Sequence, residues 1–276
     1  MSLRLNGIEL THAKGTGFEV RALDGVSLEV QPGQLTIVVG ETGSGKSTLL
    51  RVAAGLLTPD RGSAEIDGSA LDSGTARGAV GLVFQDPESQ LFADTVLDDV
   101  MFGPLNLGQE TAVAREAALE SLRAVGLDPQ TFGARSPFAL SGGEARRAAI
   151  AGVLAMSPRY LLLDEPSAGL DYRGRRRLKE LVTGAKAHAG VAVVTHTPDE
   201  LLDVADTVVV LRQGRVAWSG TVEELLGDEA ARQRAGIPLP PVVEVQRLVQ
   251  ERRGHAGGPF VLDPVGAADV LAGGAR

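Results

Sequence analysis

The chain has no cysteine, a single tryptophan and only two tyrosines, and aromatic residues make up just 4% of its 276 positions. Disulfides, thiolate metal sites and cysteine nucleophiles are therefore excluded. No window approaches the roughly 18 consecutive apolar residues that a membrane helix needs. The opening residues, Met1-Ser2-Leu3-Arg4-Leu5-Asn6, hold no apolar signal core, so a cytoplasmic protein is expected. Positive charge is also in short supply. The 27 basic residues face 35 acidic ones, and the net charge of −8 argues against a nucleic-acid binder that works by neutralising phosphates. The composition is otherwise that of a globular protein, 43% hydrophobic and 22% charged. Its length suits one large domain, or one domain with a smaller addition. The glycines are scattered through turns and form no linker.

The strongest stretch is Gly40-Glu41-Thr42-Gly43-Ser44-Gly45-Lys46-Ser47-Thr48, set between an apolar strand from Leu35 to Val39 and a helical pattern that starts at Lys46. This is G-x-x-x-x-G-K-S in strand–loop–helix context, the phosphate-binding loop. Glycines let successive backbone N–H groups turn inward on a phosphate, and the helix N-terminus adds partial positive charge. Lys46 is placed to reach the β- and γ-phosphates as a point charge, and the Ser47 hydroxyl to ligate Mg²⁺. A chance glycine turn is the bland alternative, and the flanking strand and helix disfavour it. A nucleoside triphosphate is the expected ligand.

Four weaker signals surround this loop. Val80-Gly81-Leu82-Val83-Phe84 is a buried-strand pattern that ends at Gln85, where a side chain can touch Mg²⁺ or water; a solvated turn explains it equally well. Leu140-Ser141-Gly142-Gly143-Glu144 offers an N-cap at Ser141 for a helix through Met156, and two glycines that leave N–H groups exposed. Either a second anion site or a close-packed helix start fits it. Tyr160-Leu161-Leu162-Leu163-Asp164-Glu165 is an apolar strand ending in paired carboxylates, Asp164 placed to hold Mg²⁺ and Glu165 to polarise a water. Val191 to Thr195 is a further strand, with His196 at its end. A fifth apolar run covers 207–211. Five such runs with helical segments between them predict a largely parallel sheet with helices on both faces, and ligands off its carboxyl ends. Gly40, Gln85, Asp164 and His196 all fall at such ends. Before the loop, Leu3–Leu10 and Val26–Val30 alternate as strands. His12 and Phe18 lie between them; either ring could stack on an adenine, with a loop side chain (His12) and core packing (Phe18) as the plainer readings. A helix is expected over 111–126 with Val113, Ala117, Leu122 and Val125 on one face, and a basic helix over 173–186.

In this order the set resembles the ATP-binding subunit of an ABC transporter, over about residues 3–228. Its Walker A is Gly40 to Ser47, its Q-loop glutamine Gln85, its signature Leu140 to Glu144, its Walker B Leu161 to Asp164 followed by Glu165, its D-loop Ser167 to Asp171, and its switch histidine His196. Within that superfamily it is similar to the ATPases of energy-coupling-factor (ECF) importers, which supply vitamins or cobalt and nickel ions. Val83 to Phe92, Phe102 to Gly108 and Leu140 to Met156 carry the narrower likeness. Glu144 replaces the glutamine common in the wider superfamily, and His12 falls where relatives commonly place a tyrosine against adenine.

The resemblance implies an α/β P-loop NTPase fold: a RecA-like core, an antiparallel β subdomain, an α-helical signature subdomain at about 86–156, and a small C-terminal extension at 229–276 beyond the ATPase domain of 1–228. It implies ATP and Mg²⁺ as cofactors, bound by Gly40 through Thr48 and by His12, with Ser47, Gln85 and Asp164 around the metal. Glu165, Gln85 and His196 would serve hydrolysis. Ser141, Gly142, Gly143 and Glu144 would meet the γ-phosphate of a second ATPase subunit in a head-to-tail pair. The further partners implied are an integral membrane coupling subunit and a solute-binding membrane subunit, with the chain peripheral on the inner face of the membrane. An acidic loop (Asp86, Glu88, Asp94, Asp98 and Asp99) is read as the dock for a basic cytoplasmic helix of that partner, and a plain solvated acidic surface explains it equally well. In the extension, Val242, Val243, Val245, Leu248 and Val249 mark a helical apolar face, and Asp263-Pro264 starts a last short helix through Leu271. The resemblance makes this extension a dimerisation element. A soluble ABC ATPase of DNA repair or translation is the alternative; it would usually need a long coiled-coil insertion, zinc-binding cysteines or two motors in one chain.

Overall fold

In a computed structural model, which describes residues 1–252 and 260–273, the chain folds around two sheets. The strands are β1 Leu3–His12, β2 Val20–Val30, β3 Leu35–Val39, β4 Arg61–Ile66, β5 Ser69–Ala70, β6 Val80–Val83, β7 Tyr160–Asp164, β8 Gly190–Thr195, β9 Thr207–Arg212 and β10 Arg215–Thr221. The helices are α1 Lys46–Ala53, α2 Ser73–Ala76, α3 Val96–Asn106, α4 Thr111–Ala124, α5 Pro129–Phe132, α6 Gly142–Leu154, α7 Tyr172–Lys186, α8 Val222–Gly227, α9 Glu229–Ala235, α10 Pro241–Arg252 and α11 Pro264–Gly273.

The larger sheet has the order β10-β9-β3-β8-β7-β6; all its pairings are parallel except β9 with β10. All five expected apolar runs are in it. Their continuous hydrophobic character follows from burial on both faces. Leu35, Ile37, Leu161, Leu163, Val191 and Val193 pack on one side with α3, α4 and α6. The alternate residues Val38, Leu162, Ala192 and Val194 pack on the other with α1 and the smaller sheet. That second sheet is antiparallel in the order β2-β1-β4-β5.

Register positions the site. Val39 pairs with Thr195, Asp164 with Val194, and Val83 with Leu163. The next residues of each strand, Gly40, His196, Glu165 and Phe84-Gln85, therefore emerge side by side at one edge of the sheet.

Several expectations shift. Phe18 does not pack in a core: β1 and β2 form a hairpin whose tip holds it, 85% exposed. His12 is not in a loop either but is the last residue of β1, opposite Val20. The buried face of α4 is Ala114, Ala118, Ser121 and Leu122, and Val113 points to solvent, because small residues and not the larger valine meet the closely packed neighbours. Helix α6 stops at Leu154, two residues before Met156. Asp99 is no part of an acidic surface. It is buried and accepts the amides of Phe92 (3.0 Å) and Ala93 (2.8 Å), closing the loop that enters α3. In α10 the inward positions are Val243 and Gln246, while Val245 and Leu248 are exposed.

Gln246 is fully buried with its amide satisfied. Its Nε2 donates to Val242 O (2.9 Å) and Val261 O (2.6 Å), and its Oε1 accepts Val261 N (3.0 Å), which fastens the segment before α11 onto α10.

Candidate active site

Gly45 ends the glycine loop at φ +103°, in left-handed space, and a Cβ there would lie 2.4 Å from the Ala22 carbonyl oxygen. Only glycine fits this approach of the loop to β2. Helix α1 begins at the next residue with no side-chain cap and no acid in its first turn, so its N-terminal dipole faces the loop uncompensated. Lys46 is nearly buried and folds back over the loop: its Nζ donates to Gly40 O (2.8 Å) and Glu41 O (3.0 Å). No carboxylate lies within ion-pairing distance of it among the described residues. An anion entering the loop meets an ammonium held by neutral carbonyls, which it can recruit without breaking an ion pair. Thr48 Oγ1 lies 3.1 Å from His12 Nε2, so the end of β1 does reach the start of this helix.

Asp164 and Glu165 stand on the edge described above, with different environments. Asp164 is 4% exposed, and its Oδ1 is buried with no hydrogen-bond partner. Burial raises its pKa, the Ser47 hydroxyl partly opposes this by hydrogen bonding, and the neighbouring Glu165 charge adds to the rise. A buried carboxylate oxygen with nothing to accept from, beside a serine hydroxyl, has the donor chemistry of a Mg²⁺ site. The residues present fit the metal.

Glu165 sits at φ +49°, a conformation costly for a residue with a side chain. Its amide donates to Val194 O (2.9 Å), which locks this turn onto β8. The carboxylate then turns toward His196, accepting its main-chain N–H at 3.3 Å, with Nδ1 2.8 Å from the same oxygen. Because a carboxylate only accepts, Nδ1 carries the proton in this contact. His196 is otherwise largely exposed. In this arrangement its ring faces Glu165.

Ser141 to Glu144 form a closed unit of their own. Glu144 Oε2 accepts Ser141 N (2.8 Å) and Ser141 Oγ (2.7 Å), a capping box that lowers the Glu144 pKa through those two hydrogen bonds. Ser141 and Gly142 are exposed, and no hydrogen bond joins this stretch to the Gly40–Thr48 loop among the described residues. Within one chain these two stretches are not hydrogen-bonded to each other among the described residues.

Gln85 is exposed at the sheet edge, but its carbonyl is held at 3.1 Å by Arg146 Nη2 from α6. Sequence reasoning gave Arg146 no role. Its only signal was a charge in a helix that buries Ala145, Ala148 and Ala149 near it.

Residues 23–168 match the family described as ABC transporter. The chain is 43% identical over 258 residues to the energy-coupling factor transporter ATP-binding protein EcfA2 of Symbiobacterium thermophilum, covering 91% of this chain and 89% of that protein. It is 42% identical over 260 residues to EcfA2 of Streptococcus sanguinis, with 91% and 93% covered. Among solved structures it is similar to cbiO1 from Clostridium perfringens, part of the ABC transporter complex cbiONQ, with a TM-score of 0.73 at 31% identity over 91% of this chain and 94% of that one. It also resembles dimeric MJ0796, a bacterial ABC transporter cassette, with a TM-score of 0.72 at 27% identity over 80% and 98% of the two chains. The likeness spans 91% of the chain, and on it the chain belongs to the ABC transporter family, as an ATPase among the energy-coupling factor transporter ATP-binding proteins.

Proposed function

We propose that this chain is the ATP-hydrolysing subunit of an ECF-type importer for a vitamin or a cobalt or nickel ion, working in a pair with a second ATPase beneath a membrane subunit. The observation that carries the mechanism is the placing of Glu165 beside the orphaned Asp164 on the sheet edge that also carries the Lys46 loop. The amides of Gly43 to Ser47 and the Lys46 ammonium bind the phosphates. Ser47, Asp164 and Gln85 would hold Mg²⁺, which would supply charge neutralisation on the phosphate oxygens. Glu165 orients water for in-line attack on the γ-phosphate, and its contact with His196 keeps the carboxylate aimed off β8. Charge developing on the transferred group is met by Lys46 and, when both ring nitrogens carry protons, by the Nε2–H of His196.

The exposed signature stretch, separate from the loop of its own chain, fits a partner that closes over the nucleotide of the other subunit. The cassette MJ0796 is described as dimeric, which supports a paired arrangement. The exposed Val245 and Leu248 on α10 give the extension an apolar stripe for that pairing.

For the membrane partner, the groove between α3 and α6 is the dock. Its wall carries Phe92 and Phe102, ring centroids 4.8 Å apart and edge to face, both more than half or half exposed. An apolar centre with Asp86 and Asp94 in the approaching loop suits a helix that is apolar on one side and basic at its rim. No helix among the described residues is long and apolar enough to cross a membrane.

Glu165→Gln tests the chemistry. Turnover should fall by about 10²–10⁴-fold while ATP stays bound, and membrane proteins should copurify with both forms. Parental turnover in the variant removes Glu165 from its role; a chain that copurifies with no membrane protein removes the importer.

A further inference from the structure

Arg146 follows Ser141 by five residues on α6 and is 8% exposed. Its guanidinium makes no ion pair among the described residues. Instead it donates only to main-chain carbonyls, and those carbonyls belong to two different loops. Nη1 reaches Ala168 O at 2.6 Å and, more weakly, Glu165 O and Pro166 O at 3.4 Å each. Nη2 reaches Gln85 O at 3.1 Å. One side chain on the signature helix thus holds the exit of β6 and the segment that follows β7.

A planar guanidinium carries five donors in a fixed fork and holds two loops in one set geometry, which the rotatable donors of an ammonium fix less well. Burying a cation against neutral carbonyls alone is a poor way to gain stability, because the lost hydration is only partly replaced, and an apolar side chain of like volume is often as stable or more so. The gain has to lie in what the contacts connect. They connect the helix that presents Ser141, the backbone of Gln85, and the backbone of Glu165 through Ala168. We propose that Arg146 is a positioning residue that makes these three segments move as one body, so that a shift of α6 is delivered to both loops together and the Glu165 backbone is held in its left-handed turn. This rests on the reading that Gln85 and Glu165 serve hydrolysis. Hydrogen bonds of this kind are lost beyond about 3.5 Å, so a displacement of α6 of about 1 Å relative to either loop breaks the tie.

The test uses the full chain, assembled with the subunits that support its turnover, carrying Arg146→Met or Arg146→Lys. The steady-state kcat and KM for ATP are measured, with amide hydrogen exchange over residues 84–94 and 166–171 before and after Mg-ATP. Methionine keeps the apolar volume and lysine the charge, and the melting temperature of each shows which variant retains the fold. Because the phosphate-binding loop is untouched, KM should stay within about twofold, while kcat drops by about a hundredfold, the loss expected when a reacting group is misplaced by about 1 Å. In the parent the two segments should gain protection together on ATP addition; in Arg146→Met, 84–94 should respond and 166–171 should not. The proposal is overturned if both segments still respond together, if kcat is parental, or if KM rises as kcat falls alongside a lowered melting temperature. A parent assembly that hydrolyses no ATP would instead remove the reading beneath it.

Discussion

Replacing Asp164 with asparagine should make the nucleotide-free protein more stable while disabling it. The wild-type side chain is almost fully enclosed, its Oδ1 accepts from nothing, and its pKa is raised chiefly by burial. An unsatisfied buried polar atom costs about 1–3 kcal/mol, more when charged. Asparagine sheds the charge but leaves an amide in the same place, so a net gain of about 1 kcal/mol is expected. For a chain of this size that corresponds to an increase of about 2–4 °C in melting temperature, read by calorimetry in a chelating buffer. The pH dependence has a definite sign. The folded state binds this proton more tightly than the unfolded chain, whose value is near 3.8, so wild-type stability falls as pH rises from there through the raised folded value. The advantage of Asp164→Asn should be complete above the raised folded value and vanish in acid, where the wild-type side chain is neutral as well. Mg-ATP should reverse the order: at a hundredfold excess over its dissociation constant a ligand stabilises by about 2.7 kcal/mol, and only the wild type should gain this in full. A variant less stable than wild type without nucleotide, or one that gains equally from Mg-ATP, would refute the reasoning.

Two further substitutions probe other parts of the molecule. Gly45→Ala places a methyl 2.4 Å from Ala22 O at φ +103°, so it should cost about 1–3 kcal/mol and abolish ATP binding; an unchanged melting curve would contradict the close approach. Val245→Glu combined with Leu248→Glu alters two exposed side chains and should change stability by no more than about 0.5 kcal/mol. Sedimentation should nevertheless show ATPase pairing weakened at least about tenfold, as two charges set against an apolar contact would require, and undiminished pairing would exclude this stripe.

The parallel sheet was legible because strands buried on both faces read as unbroken apolar runs, and the edge residues followed from where those runs stop. Gly40, Asp164, Glu165 and His196 converge for that reason. Contacts made by long side chains across the chain left no such trace. Nothing periodic marks Arg146 as the tie between Gln85 and Ala168, and a charge count assigns Asp99 to the surface when two amides hold it inside. Size misleads in a similar way. A hydrophobic-face reading of α4 favours Val113, but close helix packing selects Ala114 and Ala118. Phe18 was misplaced because composition cannot tell a hairpin tip from a core.

Gln246 clamps the extension with an amide that carries no charge at any physiological pH. Ionic screening acts on charges and barely touches such a bond. Whatever happens to the ion pairs elsewhere on the surface as the surrounding salt rises and falls, the segment before α11 keeps its attachment to α10.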